Sequence, residues 1–247
     1  MQAGFSDSEI TDLFRPIEGI AHAALAVSGG ADSTALMHLA ARWRACDPRA
    51  RAKLTVLSVD HGLRPEAARE ARAVAKAARA LGLDAAVLRW EGIKPATGVQ
   101  AAARIARYDL MAAHSHAHGI GAIVTAHHLE DQAETLVMRL ARGSGVDGLS
   151  GIAGRIAWAG IPVLRPLLTV PRARLRAMLE AQGLSWIEDP SNEDRRFERV
   201  RVRAALKQLE TLGITGEALA RSARRMARAR EALDRATESF MATHASV

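Results

Sequence analysis

The chain predicts an α/β protein, a doubly wound parallel sheet with a helical C-terminal extension. Two observations carry that expectation. First, short apolar runs alternate with segments of helical spacing along the first two thirds of the sequence, the order that builds parallel strands joined by helical crossovers. Second, three of those runs end in polar clusters, at Ser28-Gly29-Gly30, Asp60-His61 and Thr125-Ala126-His127-His128. Sheets of this class bind ligands at the carboxyl ends of their strands, where the strand order reverses. Polar side chains gathered at equivalent strand ends are what a nucleotide site in such a sheet requires.

The elements follow in order. Ser8 to Phe14 reads as a short helix, and Ala23 to Val27 as a strand buried on both faces. Ser33 to about Arg44 is helical, with Leu36, Met37 and Leu39 on its apolar side. A second strand spans Lys53 to Val59. Pro65 and Glu66 open an Ala-rich helix that Gly82 stops near Leu81. Ala85 to Leu88 and Gly121 to Thr125 are strands, separated by a helix from Gln100 to about Ala117. His128 to about Leu140 is again helical, with Leu136, Val137 and Leu140 on one side. Arg142 to Gly154 is glycine-rich and poorly periodic, as a functional or mobile loop is. Two short strands are expected at Ile152 to Ala157 and Ile161 to Leu164, and a helix from Pro171 to about Gln182. Glu188 to Asn192 reads as a turn. Arg199 to His244 is helical and broken near Gly213-Ile214-Thr215-Gly216.

The junction after the first strand has a physical logic of its own. A strand, a glycine turn and a helix start leave backbone N–H groups and the positive end of a helix dipole facing outward, which suits an anion. Gly29 and Gly30 let the backbone pass close to a phosphate because no Cβ intervenes. The loop has neither the spacing nor the lysine of a Walker P-loop, and it is not G-x-G-x-x-G. Ser28-Gly29-Gly30-Ala31-Asp32-Ser33 resembles the S-G-G-x-D-S pyrophosphate loop of the N-type ATP pyrophosphatases. Asp32 and Ser33 are also ordinary helix-starting residues.

Composition narrows the class. At 247 residues, 49% apolar and 25% charged, the chain can bury a core of ordinary globular composition. No apolar run is long enough to span a bilayer, and the N-terminal segment has acids where an export signal needs a basic region. A cytoplasmic location is the expectation. Cys46 is the only cysteine, so an intrachain disulfide, a Cys-based zinc site and a dithiol redox pair are excluded. The formal charge is +7, and Arg172 to Arg230 carries 14 Lys+Arg against 8 Asp+Glu. That balance suits a polyanionic partner, and a solvated surface equally.

Asp131 and Glu134 are three residues apart at a helix start and share one face. That face can hold a hydrated Mg²⁺ against nucleotide phosphates; the same acids also complement a helix dipole. His114, His116 and His118 have no acidic or Cys partner nearby in sequence and are better read as a solvated helix end.

The ordered set of S-G-G-A-D-S, V-D-H-G-L-R, A-A-A-R-I-A-R-Y, T-A-H-H-L-E-D-Q-A-E-T, R-G-S-G-V-D-G-L, R-P-L-L and E-D-P-S-N resembles the tRNA(Ile)-lysidine synthetase family over about Ala23 to Arg203. The resemblance implies an adenine nucleotide α-hydrolase-like PP-loop fold. It implies an enzyme that adenylates C2 of the wobble cytidine in the CAU-anticodon isoleucine tRNA, after which lysine displaces AMP. Carried over, Ser28, Gly29, Gly30, Ala31, Asp32 and Ser33 bind the ATP phosphates, with Asp60 and His61 also at the ATP site. Asp32 and Asp131 place Mg²⁺, and Glu134 completes an acidic pair with Asp131 near the incoming lysine. Arg104 steadies the reacting nucleotide. Arg142, Gly143, Ser144, Gly145 and Asp147 form the loop that closes over substrate. Residues 1–198 then make the catalytic domain and 199–247 a basic helical extension lying along tRNA phosphates. ATP and Mg²⁺ are the expected cofactors, tRNA and free lysine the partners, and a homodimer is compatible with the resemblance. Glu130 and Val200 depart from the family pattern, and the chain ends where longer members continue into a further tRNA-binding domain. A 2-thiocytidine-type thiolase shares the loop but works through cysteines, which this chain lacks beyond Cys46. A non-enzymatic RNA- or ATP-binding module has no need of Asp32, Asp131 and Glu134 together.

Overall fold

A computed structural model describes residues 4–47, 52–188, 194 and 196–244. The chain forms two compact units, Met1–His127 with Gly154–Asp189, and His128–Ala153 with Pro190–Val247. Position 198/199, the boundary expected from the motifs, falls within the second unit.

The first unit is a six-stranded sheet of order β3-β2-β1-β4-β6-β5, with β1 His22–Ala26, β2 Lys53–Asp60, β3 Asp84–Arg89, β4 Ala122–Val124, β5 Arg155–Trp158 and β6 Ile161–Leu164. All neighbours are parallel except β5, which pairs antiparallel with β6. Ala159 and Gly160, both at positive φ (46° and 80°), make the two-residue turn between them. Such a turn can only reverse the chain, so this edge departs from the parallel pattern.

Both faces of the sheet are covered, and alternation along each strand decides which side chain goes where. Ala23, Leu25, Leu54, Val56, Ala122 and Val124 join one core with the helices α1 Asp7–Phe14, α2 Ala31–Cys46, α3 Ala67–Ala80 and α7 Arg172–Ala181. Ala24, Leu57 and Ile123 face the other way, onto Tyr108, Met111 and Ala112 of α4 Val99–Ala117. The first helix begins with a capping box. Ser6 Oγ accepts from Glu9 N at 3.2 Å, and Glu9 Oε2 accepts from Ser6 N at 2.8 Å.

The second unit is helical. It consists of α5 Leu129–Leu140, α6 Val146–Leu149, α8 Glu198–Glu210 and α9 Gly216–His244, with α5 packed against the other three. Of the turn expected at Glu188 to Asn192, residues 189–192 lie outside the described residues. Among the described residues no helix is long and apolar enough to cross a membrane.

Candidate nucleotide and carboxylate sites

In the first unit, the order β2-β1-β4 puts the three polar strand ends side by side, and β1 stands at the reversal of strand order. The loop after β1 is shaped by its own residues. Gly29 has φ +91°, and a Cβ there would lie 2.5 Å from Ile187 Cδ1 and 3.0 Å from Val74 Cγ2. Its carbonyl accepts from Ile187 N at 2.9 Å and from Thr34 Oγ1 at 3.1 Å. Only glycine satisfies both the backbone angle and the packing. Gly30 is the N-cap of α2 in extended conformation and brings no capping side chain, which leaves the helix start to an anion. Ser33 Oγ donates to Gly30 O at 3.0 Å and accepts from Ser28 N at 3.2 Å, while Ser28 Oγ lies 3.3 Å from it. Ala31 and Ser33 are buried. The loop is therefore held in place before any ligand arrives.

Asp32, in the first turn of α2, is engaged by Arg172 Nε at 3.2 Å, and both side chains are 25% exposed. At the end of β2, Asp60 is buried and its Oδ1 accepts from Gly62 N at 2.9 Å, while His61 Nδ1 accepts from Leu63 N at 3.2 Å. After β4, Thr125 Oγ1 and His127 Nδ1 are 2.9 Å apart. Arg104 is exposed on α4, its guanidinium 5.1 Å from the centroid of the Tyr108 ring.

The second unit holds the acidic pair. Asp131 Oδ2 accepts from His128 N at 3.0 Å, closing the start of α5. Buried His128 also places Nδ1 3.0 Å from Glu130 Oε2, so the longer carboxylate at position 130 is turned onto the histidine. Asp131 Oδ1 lies 3.6 Å from Arg199 Nη1. Glu134 is fully buried; Oε1 accepts from Arg203 Nε at 2.9 Å, and Oε2 has no hydrogen-bond partner among the described residues. Burial pushes the Glu134 carboxyl above the usual range, Asp131 adds to that push, and the hydrogen bond and charge of Arg203 oppose it.

The glycine-rich stretch, expected as a functional or mobile loop, is tied to α5 by hydrogen bonds. Arg139 Nη1 donates to Gly148 O at 2.7 Å and Gly151 O at 2.9 Å. Gln132 bonds Ile152 through both N–H and C=O, at 2.8 and 2.7 Å. Within it, Arg142 pairs with Glu198 at 2.6 Å, Gly143 has φ +69°, and Gly145 is the N-cap of α6. Asp147 O accepts from Ser150 Oγ at 2.6 Å, and Gly148 leaves no room for a Cβ beside Ser144. Buried carbonyls need partners, and Arg139 and Gln132 supply them from α5.

Sequence reasoning missed Arg172, Arg199 and Arg203 as partners of the acids. A signal existed for the last two. Arg199 and Arg203 are four apart and share a helical face, as Asp131 and Glu134 do at spacing three. Nothing local marks Arg172. Among the described residues no group of three or more His, Cys, Asp or Glu is arranged to hold a metal. Single carboxylates such as Asp32 and Asp131 fit Mg²⁺, which takes one or two carboxylates and completes its shell with water and phosphate oxygens.

Residues 5–210 match the PP-loop domain family. The tRNA(Ile)-lysidine synthase of Rhodopseudomonas palustris is 49% identical over 241 residues, covering 96% of this chain and 69% of the relative. That of Bradyrhizobium diazoefficiens is 49% identical over 233 residues, 94% of this chain and 64% of the relative. For the synthase of Ruegeria pomeroyi the figures are 49% identity over 210 residues, 85% and 49%. The chain thus spans between about half and two thirds of the length of these relatives. Among solved structures, the U34-tRNA thiolase NcsA from Methanococcus maripaludis, with its [4Fe-4S] cluster, superposes with a TM-score of 0.74 at 17% identity. It covers 90% of this chain and 78% of that one, a likeness of fold. A phosphate loop of this shape, on a sheet of this order, in a sequence this close to those relatives, places the chain in the PP-loop family and, within it, among the tRNA(Ile)-lysidine synthases.

Proposed function

We propose that the protein ligates lysine to C2 of the wobble cytidine of the CAU-anticodon isoleucine tRNA, at the expense of ATP. The reaction passes through an adenylated tRNA and releases pyrophosphate and AMP, leaving lysidine. The observation that carries this reading is the 49% identity to tRNA(Ile)-lysidine synthase along 96% of the chain. The geometry of the individual groups supports it.

Ser28 to Ser33 bind the ATP phosphates at the start of α2, and Asp60 and His61 belong to the same ATP site. Asp32 in the first unit and Asp131 in the second are each carboxylates that would ligate Mg²⁺, and the cation would offset negative charge on the phosphates. Arg104 steadies the nucleotide being adenylated, and Arg142 to Asp147 close over the substrate. Glu134 takes a proton from the lysine ammonium before attack, and a buried carboxylate with a raised pKa is suited to that. The leaving group is AMP, and the new bond joins the lysine Nε to C2. With this reaction go a cytoplasmic location, tRNA and free lysine as partners, and action as a homodimer or alone.

Labelled lysine, ATP, Mg²⁺ and bulk tRNA test the assignment. Label entering a minor isoleucine tRNA with stoichiometric AMP is the expected result. AMP without label in tRNA would retain the pyrophosphatase chemistry and overturn lysine as the nucleophile.

A further inference from the structure

We infer that Arg172 is a positioning residue of the phosphate loop. It neutralises Asp32 while no divalent cation is present and releases that carboxylate when a metal-loaded nucleoside triphosphate binds. The inference rests on the ATP-binding reading above.

Asp32 occupies the first turn of α2, beside the uncapped Gly30. The helix start attracts anions, but a bare carboxylate there repels a triphosphate. Arg172 Nε, 3.2 Å from Asp32 Oδ1, cancels that repulsion. The pair is not a local accident, because 140 residues separate its members in sequence. It is fixed by helix packing, since α2 and α7 lie against each other and Leu175, Met178 and Leu179 anchor α7 in the core. Arg172 is also the first residue of α7. A cation in a first turn opposes the helix dipole, so the stability of α7 does not explain why an arginine stands there. Both side chains keep a quarter of their surface exposed, so a ligand can reach them and exchange partners with them.

The expected behaviour separates this role from direct phosphate binding. With Arg172 removed, the triphosphate feels the charge of Asp32 more strongly only when metal is absent, because a bound cation takes over the neutralisation. With Asp32 neutral, the charge pair between Asp32 and Arg172 no longer contributes to that difference.

Calorimetric titration of ATP into the full chain, with EDTA or with saturating Mg²⁺, tests this. Arg172→Ala is expected to weaken ATP binding about tenfold or more in EDTA and less than about threefold in Mg²⁺. Arg172→Lys, which keeps the charge, should stay within about threefold of wild type in both. Asp32→Asn alone should gain less from Mg²⁺ than wild type does; this arm does not depend on the folding of the Arg172→Ala variant. In the Asp32→Asn background, Arg172→Ala should cost less than about threefold in EDTA. Equal losses with and without Mg²⁺, or a full loss in the Asp32→Asn background, would make Arg172 a phosphate ligand and overturn the proposal. Unchanged binding in every Arg172 variant would overturn it as well. Wild-type protein that binds no ATP under either condition would instead remove the nucleotide reading itself, and the inference with it.

Discussion

Glu134 shows how far a residue's chemistry depends on its surroundings. On spacing alone its carboxylate shares a face with Asp131 and complements a helix dipole. In the fold it is fully buried, bonded by Arg203 on one oxygen and without a hydrogen-bond partner among the described residues on the other. A buried charge with one unsatisfied oxygen weakens the fold, and such costs concentrate where chemistry requires them. Glu134→Gln keeps the shape and removes the charge. The variant leaves Arg203 without its countercharge and should melt somewhat lower than wild type, while lysine incorporation falls by roughly 10²–10⁴-fold, the usual contribution of a general base. A folded variant with near-normal turnover would refute the role given to Glu134.

At the scale of elements, the histidines on β1, α2 and α4 tie stability to pH. His22, at the start of β1, lies 2.8 Å from Thr55 Oγ1, and burial, then the charge of Lys53, holds its pKa below the usual value. Burial does the same to His38 on α2, and to His114 on α4, where the stacked His118 ring adds to it. Each group therefore binds fewer protons folded than unfolded below the unfolded pKa of about 6.5. Stability rises with pH through this window and is lost as the pH falls from about 7 toward 5. The carboxylates with lowered pKa, Glu9, Asp84 and Asp194, lose their contribution at lower pH still, beneath this window. Urea midpoints should be lower at pH 5.5 than at pH 7.5, and replacing His22 and His114 with Gln should flatten the difference. A midpoint that does not move over this range would mean that the histidines contribute no more than Glu134, whose raised pKa acts in the opposite direction.

For the molecule as a whole, the arginines of the C-terminal helices differ in what they face. Arg199 and Arg203 are committed to Asp131 and Glu134, and Arg196 to Asp194. Arg221, Arg224, Arg225 and Arg228 of α9 are exposed, where a phosphate backbone can reach them. Interactions of that kind are sequence-blind and sensitive to salt. Arg224→Ala with Arg225→Ala should weaken tRNA binding and reduce the slope of log K against log salt by about one for each phosphate that is no longer neutralised. ATP binding should be unaffected. A gel-shift series over salt concentration measures this, and an unchanged slope would move the RNA-binding surface away from α9.

The order of strands and helices, the glycine loop and the polar strand ends were all legible in the sequence, because they follow from periodicity, turn chemistry and short motifs. Strand limits such as Lys53–Asp60 and the break before Gly216 were legible within a few residues for the same reason. The partner of each charged group was not. Arg172 reaches Asp32 across 140 residues of chain, and Arg203 reaches Glu134 across 69. Such pairs arise only when helices pack, so no local pattern encodes them. The same holds for the stretch from Arg142 to Gly154. Its composition reads as a functional or mobile loop; that Arg139 and Gln132 bond its carbonyl and amide groups was not legible. The sequence by itself determined which residues stand at the strand ends and helix starts. Tertiary structure alone decided their charge environment, because burial and ion pairing depend on neighbours brought together by packing.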